Sequence, residues 1–276
     1  MKTFSRSVGF VISSGSLTLL AACGGGGDSV VPVQVQAMSV GGLWTANYTA
    51  TNGNLIEGKV LVAEDGRFFG ASRNLTNNCV GLSYGTLTSA GSTFTGTASG
   101  AIAQVSVGGS IPACTYADGA TASTSSVSGL VMERTSITIT STATTSKGLA
   151  LGTQTVTGQF NPQYNLSSSL GAISGSWKGA TGNAITVGAG GQLSNTDTST
   201  ACALNGQVSI INPAYNAYSA TGTISNCNAS NSALNGATVR TLLYIDNTAT
   251  PNKLLAGQEI TLTNGTKLVA VSTSTR

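Results

Sequence analysis

The sequence predicts an all-β fold of two tandem, related antiparallel domains, each a barrel or a sandwich, after an export signal and a Gly-rich tether. Helical periodicity is nearly absent beyond the tether, whereas apolar and polar residues alternate in many short segments. Residues 135–140, Thr-Ser-Ile-Thr-Ile-Thr, are one example. Turn signals separate such segments about every ten residues, which is typical of sandwiches and barrels. Four sequence landmarks occur twice in the same order, which indicates two copies of one unit.

The N-terminus has the pattern of a signal peptide. Lys2 and Arg6 precede an apolar run, residues 8–22, that is too short to cross a bilayer. The run leads into Leu20-Ala21-Ala22-Cys23, which resembles the lipobox of bacterial lipoproteins. The resemblance implies that residues 1–22 are removed and that Cys23 becomes the N-terminus, carrying acyl chains such as palmitate. The alternative is an ordinary secretory signal in which the cysteine is incidental.

Residues 23–39 predict a flexible tether between this anchor and the first domain. Gly24 to Gly27 follow the cysteine, and Gly-rich chain has little stiffness. In bacterial lipoproteins an Asp after the lipidated cysteine favours retention at the inner membrane, so Gly24 implies the outer membrane. The resemblance leaves the periplasmic and the cell-surface faces of that membrane open.

Few charges remain in the chain after the signal is removed. Lys, Arg, Asp and Glu make up 8% of the residues, against about a quarter in a typical soluble protein. The formal net charge of +3 falls to about +1 without Lys2 and Arg6. No basic field is left that would attract nucleic acid, so we expect no nucleic-acid partner.

The two copies are marked by the two tryptophans of the chain. Gly42-Leu43-Trp44 opens the first copy and Gly175-Ser176-Trp177 opens the second. Each tryptophan is followed by a hairpin, by two cysteines and by a strand with a single arginine, Arg134 or Arg240. Each copy has room for about seven or eight strands of ordinary length. The expected bounds of the two β-domains are 40–170 and 171–276.

Two hairpins have clear turn residues. Asp65-Gly66 lies between apolar runs, where a tight turn requires residues that tolerate positive φ. Asn264-Gly265 lies in a similar place, and a loop one residue longer fits it better. With that loop Leu262 pairs with Leu268 and Ile260 with Ala270, which puts the apolar residues on one face.

Four cysteines remain besides Cys23, and they allow three pairings. The duplication selects one disulfide within each copy, Cys79–Cys114 and Cys202–Cys227, and export from the cytoplasm permits disulfides. Zinc is the functional alternative, but structural zinc sites use closely spaced Cys or Cys and His pairs, whereas these intervals are long. We expect no metal and no cofactor.

Gly-x-Trp near a first strand resembles the opening motif of the lipocalins. In that family the tryptophan closes one end of an eight-stranded barrel, and an arginine from a late strand packs over it. The resemblance implies these structural roles for Trp44 with Arg134 and for Trp177 with Arg240. It also implies an apolar lumen for a small ligand. The other interpretation is a core tryptophan under a strand of any small barrel or sandwich.

The chain contains no histidine, which excludes Ser-His-Asp triads, Cys-His pairs and histidine-ligated metals. Carboxylate pairs are the remaining enzymatic option. Glu64 and Asp65 lie at a hairpin tip and are expected to be solvated. Glu133 and Glu259 lie within predicted strands and are the plausible lumen-facing acids, but nothing pairs them across the two copies. We therefore expect no enzymatic activity.

Two near-copies of one loop, Asn161–Asn165 and Asn212–Asn216, read Asn-Pro-x-Tyr-Asn, and Asn-Pro starts turns. They are either recurrent hairpin loops or interaction loops that expose Tyr164 and Tyr215, since aromatic residues are enriched in interfaces. The sequence as a whole favours an outer-membrane interaction, adhesion or structural module. The alternative is a carrier of a small apolar ligand with a lipocalin-like lumen.

Overall fold

The structure is a computed structural model, and it describes residues 39–49, 55–104, 114–179, 183–198 and 200–276. The predicted signal peptide, the lipidation site Cys23 and the tether, apart from Ser39, lie outside the described residues. No helix in the described part of the chain is long and apolar enough to span a membrane.

The first domain, barrel 1, is a closed antiparallel barrel of eight strands. Each strand pairs with the next, and the last pairs with the first, so that the sheet has no open edge. The predicted all-β fold is confirmed. Because the sheet closes on itself, the domain is a barrel and not a sandwich. The strands are β1 Gly42–Thr49, β2 Leu55–Val62, β3 Arg67–Asn74, β4 Cys79–Ala90, β5 Thr93–Gln104, β6 Ala122–Met132, β7 Ser136–Thr145 and β8 Ala150–Asn161.

The second domain, barrel 2, repeats this topology, with its first strand paired to both the second and the last. A 3₁₀ helix, Pro162–Asn165, and the short helix α1, Leu170–Ile173, connect the barrels, and another 3₁₀ helix, Ala229–Leu234, precedes β14. The strands are β9 Gly175–Gly179, β10 Ala184–Val187, β11 Gln192–Thr196, β12 Ala203–Ile210, β13 Tyr218–Ser225, β14 Thr238–Asp246, β15 Lys253–Thr261 and β16 Lys267–Thr275.

The Asp65-Gly66 hairpin has a three-residue loop in place of the expected tight turn. The backbone N–H of Ala63 donates to the carbonyl of Arg67 at 2.8 Å, and Gly66 has a φ of +83°. A turn that ends in a left-handed glycine is the usual geometry of three-residue hairpin loops.

The Asn264-Gly265 hairpin has the same loop. Leu262 donates to the carbonyl of Thr266 at 2.9 Å, and Gly265 has a φ of +84°. The loop length was predicted correctly, but it begins one residue earlier than expected. The predicted register was therefore wrong by two residues: Ile260 pairs with Leu268. The side chains keep their faces, because a shift of two residues preserves alternation.

Each barrel is closed at one end by its tryptophan. Trp44 and Trp177 are 1% and 0% exposed. The indole N–H of Trp44 donates to the carbonyl of Val40 at 3.2 Å, and that of Trp177 donates to Ile173 at 2.8 Å. Both copies therefore hold the segment before the first strand against the barrel core through the same hydrogen bond.

The arginine that covers Trp177 is not the one that the sequence predicted. The guanidinium of Arg276, the last residue, lies 4.4 Å from the centre of the indole. Arg240 is exposed, whereas its neighbours Val239 and Thr241 are both 3% exposed. Because successive strand residues face opposite sides, Arg240 lies on the outer face of barrel 2 and the predicted pair with Trp177 was wrong.

Arg134 does not pack over Trp44, as was predicted, but over other aromatic rings. It lies in the turn after β6, and its guanidinium is 4.3 Å from the ring centre of Tyr215 and 5.3 Å from those of Phe160 and Tyr164. Phe160 packs edge-on against Trp44, with ring centres 5.4 Å apart. The phenyl ring thus takes the place against Trp44 that the lipocalin resemblance assigned to the arginine.

The two Asn-Pro-x-Tyr-Asn loops meet at the joint between the barrels. Tyr164 and Tyr215 stack with ring centres 5.1 Å apart, and Tyr164 is 1% exposed. The backbone N–H of Asn216 donates to the carbonyl of Tyr164 at 2.9 Å, and its side-chain amide donates to Ile245 at 2.7 Å. The interpretation of the tyrosines as exposed interaction residues was wrong, since Tyr164 is buried and Tyr215 is half-buried against it.

The barrels also pack side by side through their outer faces. Leu43, Leu61 and Phe69 from barrel 1 join Leu242 and Tyr244 from barrel 2 in one buried cluster. In each strand the residues next to these side chains point into the barrel. One face of the strand therefore lines its own barrel, and the other face contacts the neighbouring barrel.

Both predicted disulfides are present. Cys79 is bonded to Cys114 and Cys202 to Cys227, one bond within each barrel. They close loops of 35 and 25 residues.

Candidate functional site: the lumen of barrel 1

One end of the interior of barrel 1 is apolar. Alternate residues of the strands point inward there, around the buried indole of Trp44. We call this cluster the floor. With Trp44 it comprises Val62, Phe68, Leu87, Phe94 and Ile137, each at most 7% exposed.

Next to the floor the lumen contains an open cavity of about 330 Å³. This volume lies in the lower part of the range for small-molecule sites. The wall is built largely from residues with minimal side chains. They include Gly58, Gly70, Gly81, Gly100, Ser72, Ser83, Ser123, Ser125 and Ser141.

Glycine and serine residues that lie opposite each other on neighbouring strands account for the open volume of the cavity. Gly70 faces Ser83 and Gly100 faces Ser123 in the strand register. A Cβ atom at Gly70 would come 2.6 Å from the Ser83 Oγ, and one at Gly100 would come 2.5 Å from the Ser123 Oγ. Each glycine therefore leaves room for the hydroxyl on the next strand. A Cβ atom at Gly58 meets nothing closer than 3.7 Å, an ordinary van der Waals contact, so this position of the cavity lining has room for a side chain.

Polar groups lie at the end of the lumen away from the floor. Tyr48 is four residues along β1 from Trp44, and the side-chain amide of Gln154 donates to its hydroxyl at 3.2 Å. The hydroxyls of Tyr116 and Ser123 lie 3.1 Å apart. Burial raises the pKa of Tyr48, so this phenol stays neutral at physiological pH. These groups can hydrogen-bond to the polar end of a ligand.

The lining of the cavity is uncharged. Among the residues that the structure describes, no Lys, Arg, Asp or Glu contributes to it. Transfer of an unpaired ion into such a site costs far more than transfer of a neutral polar group. The lumen is therefore suited to neutral molecules.

Barrel 2 has a packed interior instead. Trp177, Tyr218, Leu243, Ile245 and Leu254 form one cluster in which each residue is at most 4% exposed. Large side chains occupy the centre of this barrel, whereas glycines and serines line the centre of barrel 1. The two copies share a topology but differ in the volume of their inward-facing residues.

The acids predicted to face a lumen lie elsewhere. Glu133 is exposed in the turn after β6. In the strand register Glu259 lies opposite Arg240 on one side and Val269 on the other. It is on the same outer face of the sheet as these residues and is 5% exposed. The ammonium of Lys267 donates to its carboxylate at 3.0 Å. The prediction of lumen-facing acids was wrong, because the strand alternation puts Glu259 at the interface between the barrels.

Glu64 was expected to be solvated, but its side chain is only 22% exposed. It accepts a hydrogen bond from the hydroxyl of Ser39 at 2.7 Å and lies 3.4 Å from the guanidinium of Arg134. A Cβ atom at Gly41 would come 2.5 Å from its carboxylate, so this glycine makes room for the ion pair. Nothing in the local sequence marks a contact between residues 70 positions apart.

A second concavity, of about 510 Å³, lies between the outer faces of the barrels. Apolar residues such as Phe69 and Tyr244 line it together with the charged residues Glu57, Lys59 and Arg73. Its mixed lining distinguishes it from the uncharged lumen, which we take as the candidate site.

A comparison of the chain with protein-family models, with curated proteins and with solved structures finds no match. The function therefore has to follow from the residues of the lumen and from the N-terminal sequence.

Proposed function

We propose that the chain is a lipid-anchored outer-membrane protein, without enzymatic activity, whose first barrel carries a small and largely apolar ligand. The observation that carries this proposal is the uncharged cavity of about 330 Å³ inside barrel 1. It favours the carrier over the interaction module that the sequence placed first, because a module that only binds partners through its surface has no use for an open lumen.

The proposed anchor rests on the N-terminal sequence. Leu20-Ala21-Ala22-Cys23 resembles a lipobox, and it is followed by four glycines, a composition that is typical of linkers. Three acyl chains on Cys23, at about 0.8 kcal/mol per buried CH₂, would hold the protein at the membrane permanently. The barrels would then take up and release a ligand next to the membrane surface.

The proposal is tested by the binding of a neutral fluorescent probe. N-phenyl-1-naphthylamine, whose emission rises in apolar surroundings, should bind the protein with a saturable signal. Gly58→Leu adds a side chain to the cavity lining at a position where a Cβ atom meets nothing closer than 3.7 Å, so it should fill the cavity and reduce binding at least tenfold.

Gly171→Leu is the matched control for this experiment. Gly171 is exposed in α1, and a Cβ atom there meets nothing closer than 3.9 Å. This variant should bind the probe like the wild type. A wild-type protein that gives no saturable signal, or a Gly58→Leu variant that binds as well as the control, would refute the carrier.

The interaction module is the second candidate, and one surface feature favours it. Leu130 and Met132 are 57% and 61% exposed on the outer face of β6. A photo-crosslinking residue at position 132 should capture a discrete partner on intact cells if this face is an interface. Crosslinking at position 128, also exposed on β6, provides the comparison, and equal patterns at both positions would count against it.

A further inference from the structure

We infer that the ligand of barrel 1 is a neutral amphiphile, with an apolar ring system or branched chain at one end and a hydroxyl or carbonyl oxygen in its middle. This inference rests on the carrier function proposed above and adds the chemical class of the ligand. It follows from the order in which apolar, hydroxyl-bearing and amide groups succeed one another along the lumen.

The apolar end of the ligand is assigned by the floor. Phe68 and Phe94 are 5% and 2% exposed and offer aromatic surface to the cavity, together with Leu87 and Ile137. The residues named as the floor are apolar apart from the indole N–H of Trp44, and that N–H already donates to the carbonyl of Val40 at 3.2 Å. A ligand group that reaches the floor gains only from apolar contact, so that end carries no polar atoms.

The oxygen of the ligand is assigned by a belt of serines further along the lumen. Ser83, Ser123, Ser125 and Ser141 line the cavity from three different strands, β4, β6 and β7. The register puts Ser125 between Ala98 and Ala143, and it puts Ser141 between Val127 and Gln154. The alanine and valine side chains offer no hydrogen bond, and the side-chain amide of Gln154 already donates to the hydroxyl of Tyr48 at 3.2 Å. A ligand oxygen at this level can therefore pair with the hydroxyl of Ser125 or Ser141.

Neutrality of the ligand is assigned by the lining as a whole. Each serine hydroxyl can donate and accept, as can the phenols of Tyr48 and Tyr116 and the amide of Gln154. None of these groups is a counter-ion for a carboxylate or an ammonium. A charged ligand would therefore have to lose its hydration without an opposite charge in return.

Three probes with the same ring system test the assigned apolar end, oxygen and neutrality of the ligand separately. They are naphthalene, 2-naphthol and 2-naphthoate. Binding is followed by NMR titration of the methyl groups of Leu87, Val127 and Ile137, which lie in the cavity. We expect 2-naphthol to bind about three- to tenfold more tightly than naphthalene, as one hydrogen bond allows. The anionic 2-naphthoate should bind at least tenfold more weakly than 2-naphthol.

The double variant Ser125→Ala, Ser141→Ala tests the belt directly. It should lower the affinity for 2-naphthol to that for naphthalene and leave naphthalene binding unchanged. Ser128→Ala is the control, because Ser128 lies on the outer face of the same strand as Ser125 and is exposed. It should leave both affinities unchanged.

The outcomes separate this inference from the carrier function. Equal affinities for naphthalene and 2-naphthol, unaltered 2-naphthol binding in the serine variant, or lumen binding of 2-naphthoate as tight as that of 2-naphthol would each overturn the neutral amphiphile. In these cases saturable binding of N-phenyl-1-naphthylamine still supports the carrier. If neither that probe nor any naphthalene derivative perturbs the cavity methyl groups, the carrier function itself fails.

Discussion

The ring of Phe69 on β3 lies directly against the backbone of Gly257 on β15. A Cβ atom at residue 257 would come 1.8 Å from the Cγ atom of the ring, so a glycine is needed at this position. Both residues are buried between the barrels, and Phe69 belongs to the apolar cluster that joins them. This contact sets how closely β15 of barrel 2 approaches β3 of barrel 1.

We predict that Gly257→Ala lowers the free energy of unfolding by about 1–3 kcal/mol, because the added methyl group displaces the ring of Phe69. Urea unfolding monitored by tyrosine and tryptophan fluorescence measures the change. Gly58→Ala is the control, since a Cβ atom there meets no atom closer than 3.7 Å and should be tolerated. Equal stability of the two variants would contradict the assigned contact.

The closed end of barrel 2 depends on Trp177 and Arg276. Trp177→Ala should destabilise the full chain by about 3–5 kcal/mol through lost burial and the cavity left behind. Arg276→Ala removes the guanidinium that lies 4.4 Å from the indole and should cost about 0.5–2 kcal/mol. Arg240→Ala, on the outer face, should change the melting temperature least. A larger loss in Arg240→Ala than in Arg276→Ala would restore the pairing expected from the lipocalin resemblance.

The disulfides should each contribute roughly 3.5–4 kcal/mol, because the loops that they close restrict the unfolded chain. Non-reducing peptide mapping of the protein should recover Cys79 linked to Cys114 and Cys202 linked to Cys227. The double variants Cys79→Ser, Cys114→Ser and Cys202→Ser, Cys227→Ser should each unfold at lower urea concentration. A peptide that joins Cys114 to Cys202 would be incompatible with one bond per barrel.

Stability should fall in alkaline solution because of buried tyrosines. Burial raises the pKa of Tyr244, and burial together with the Glu64 carboxylate raises that of Tyr164, both above the usual value of about 10. The unfolded chain therefore loses these protons first, so their contribution is complete below about pH 10 and is lost as the pH rises further.

This pH dependence can be measured by urea unfolding between about pH 8 and 11. Tyr244→Phe removes one of these groups and should make the alkaline decline less steep, whatever its effect at neutral pH. An unchanged slope above pH 10 would show that Tyr244 does not contribute to it.

Cys23→Ser tests the proposed anchor. The variant should appear in the soluble fraction or stay unprocessed, because neither lipid attachment nor cleavage before the cysteine can take place. Fractionation of cells and the mass of the mature protein measure both. Normal processing with full membrane retention of Cys23→Ser would disprove the lipobox interpretation.

The sequence by itself determined the all-β class, the grouping of the strands into two related units and the pairing of the cysteines. These properties depend on local patterns: alternation along a strand, glycine at a left-handed turn position such as Gly66 or Gly265, and landmarks repeated in order. Alternation also separated the two faces of each strand, and it did so even where the predicted hairpin register was off by two residues.

Only the tertiary structure decided what each face touches. Trp177 is covered by Arg276, Glu64 is paired with Arg134, and Tyr164 is stacked on Tyr215, all through contacts between residues far apart in the chain. Which of the two barrels keeps an open lumen was likewise decided only in the folded structure, because cavity volume is the sum of many inward-facing residues on eight strands. No single motif records that these residues are small in one copy and large in the other.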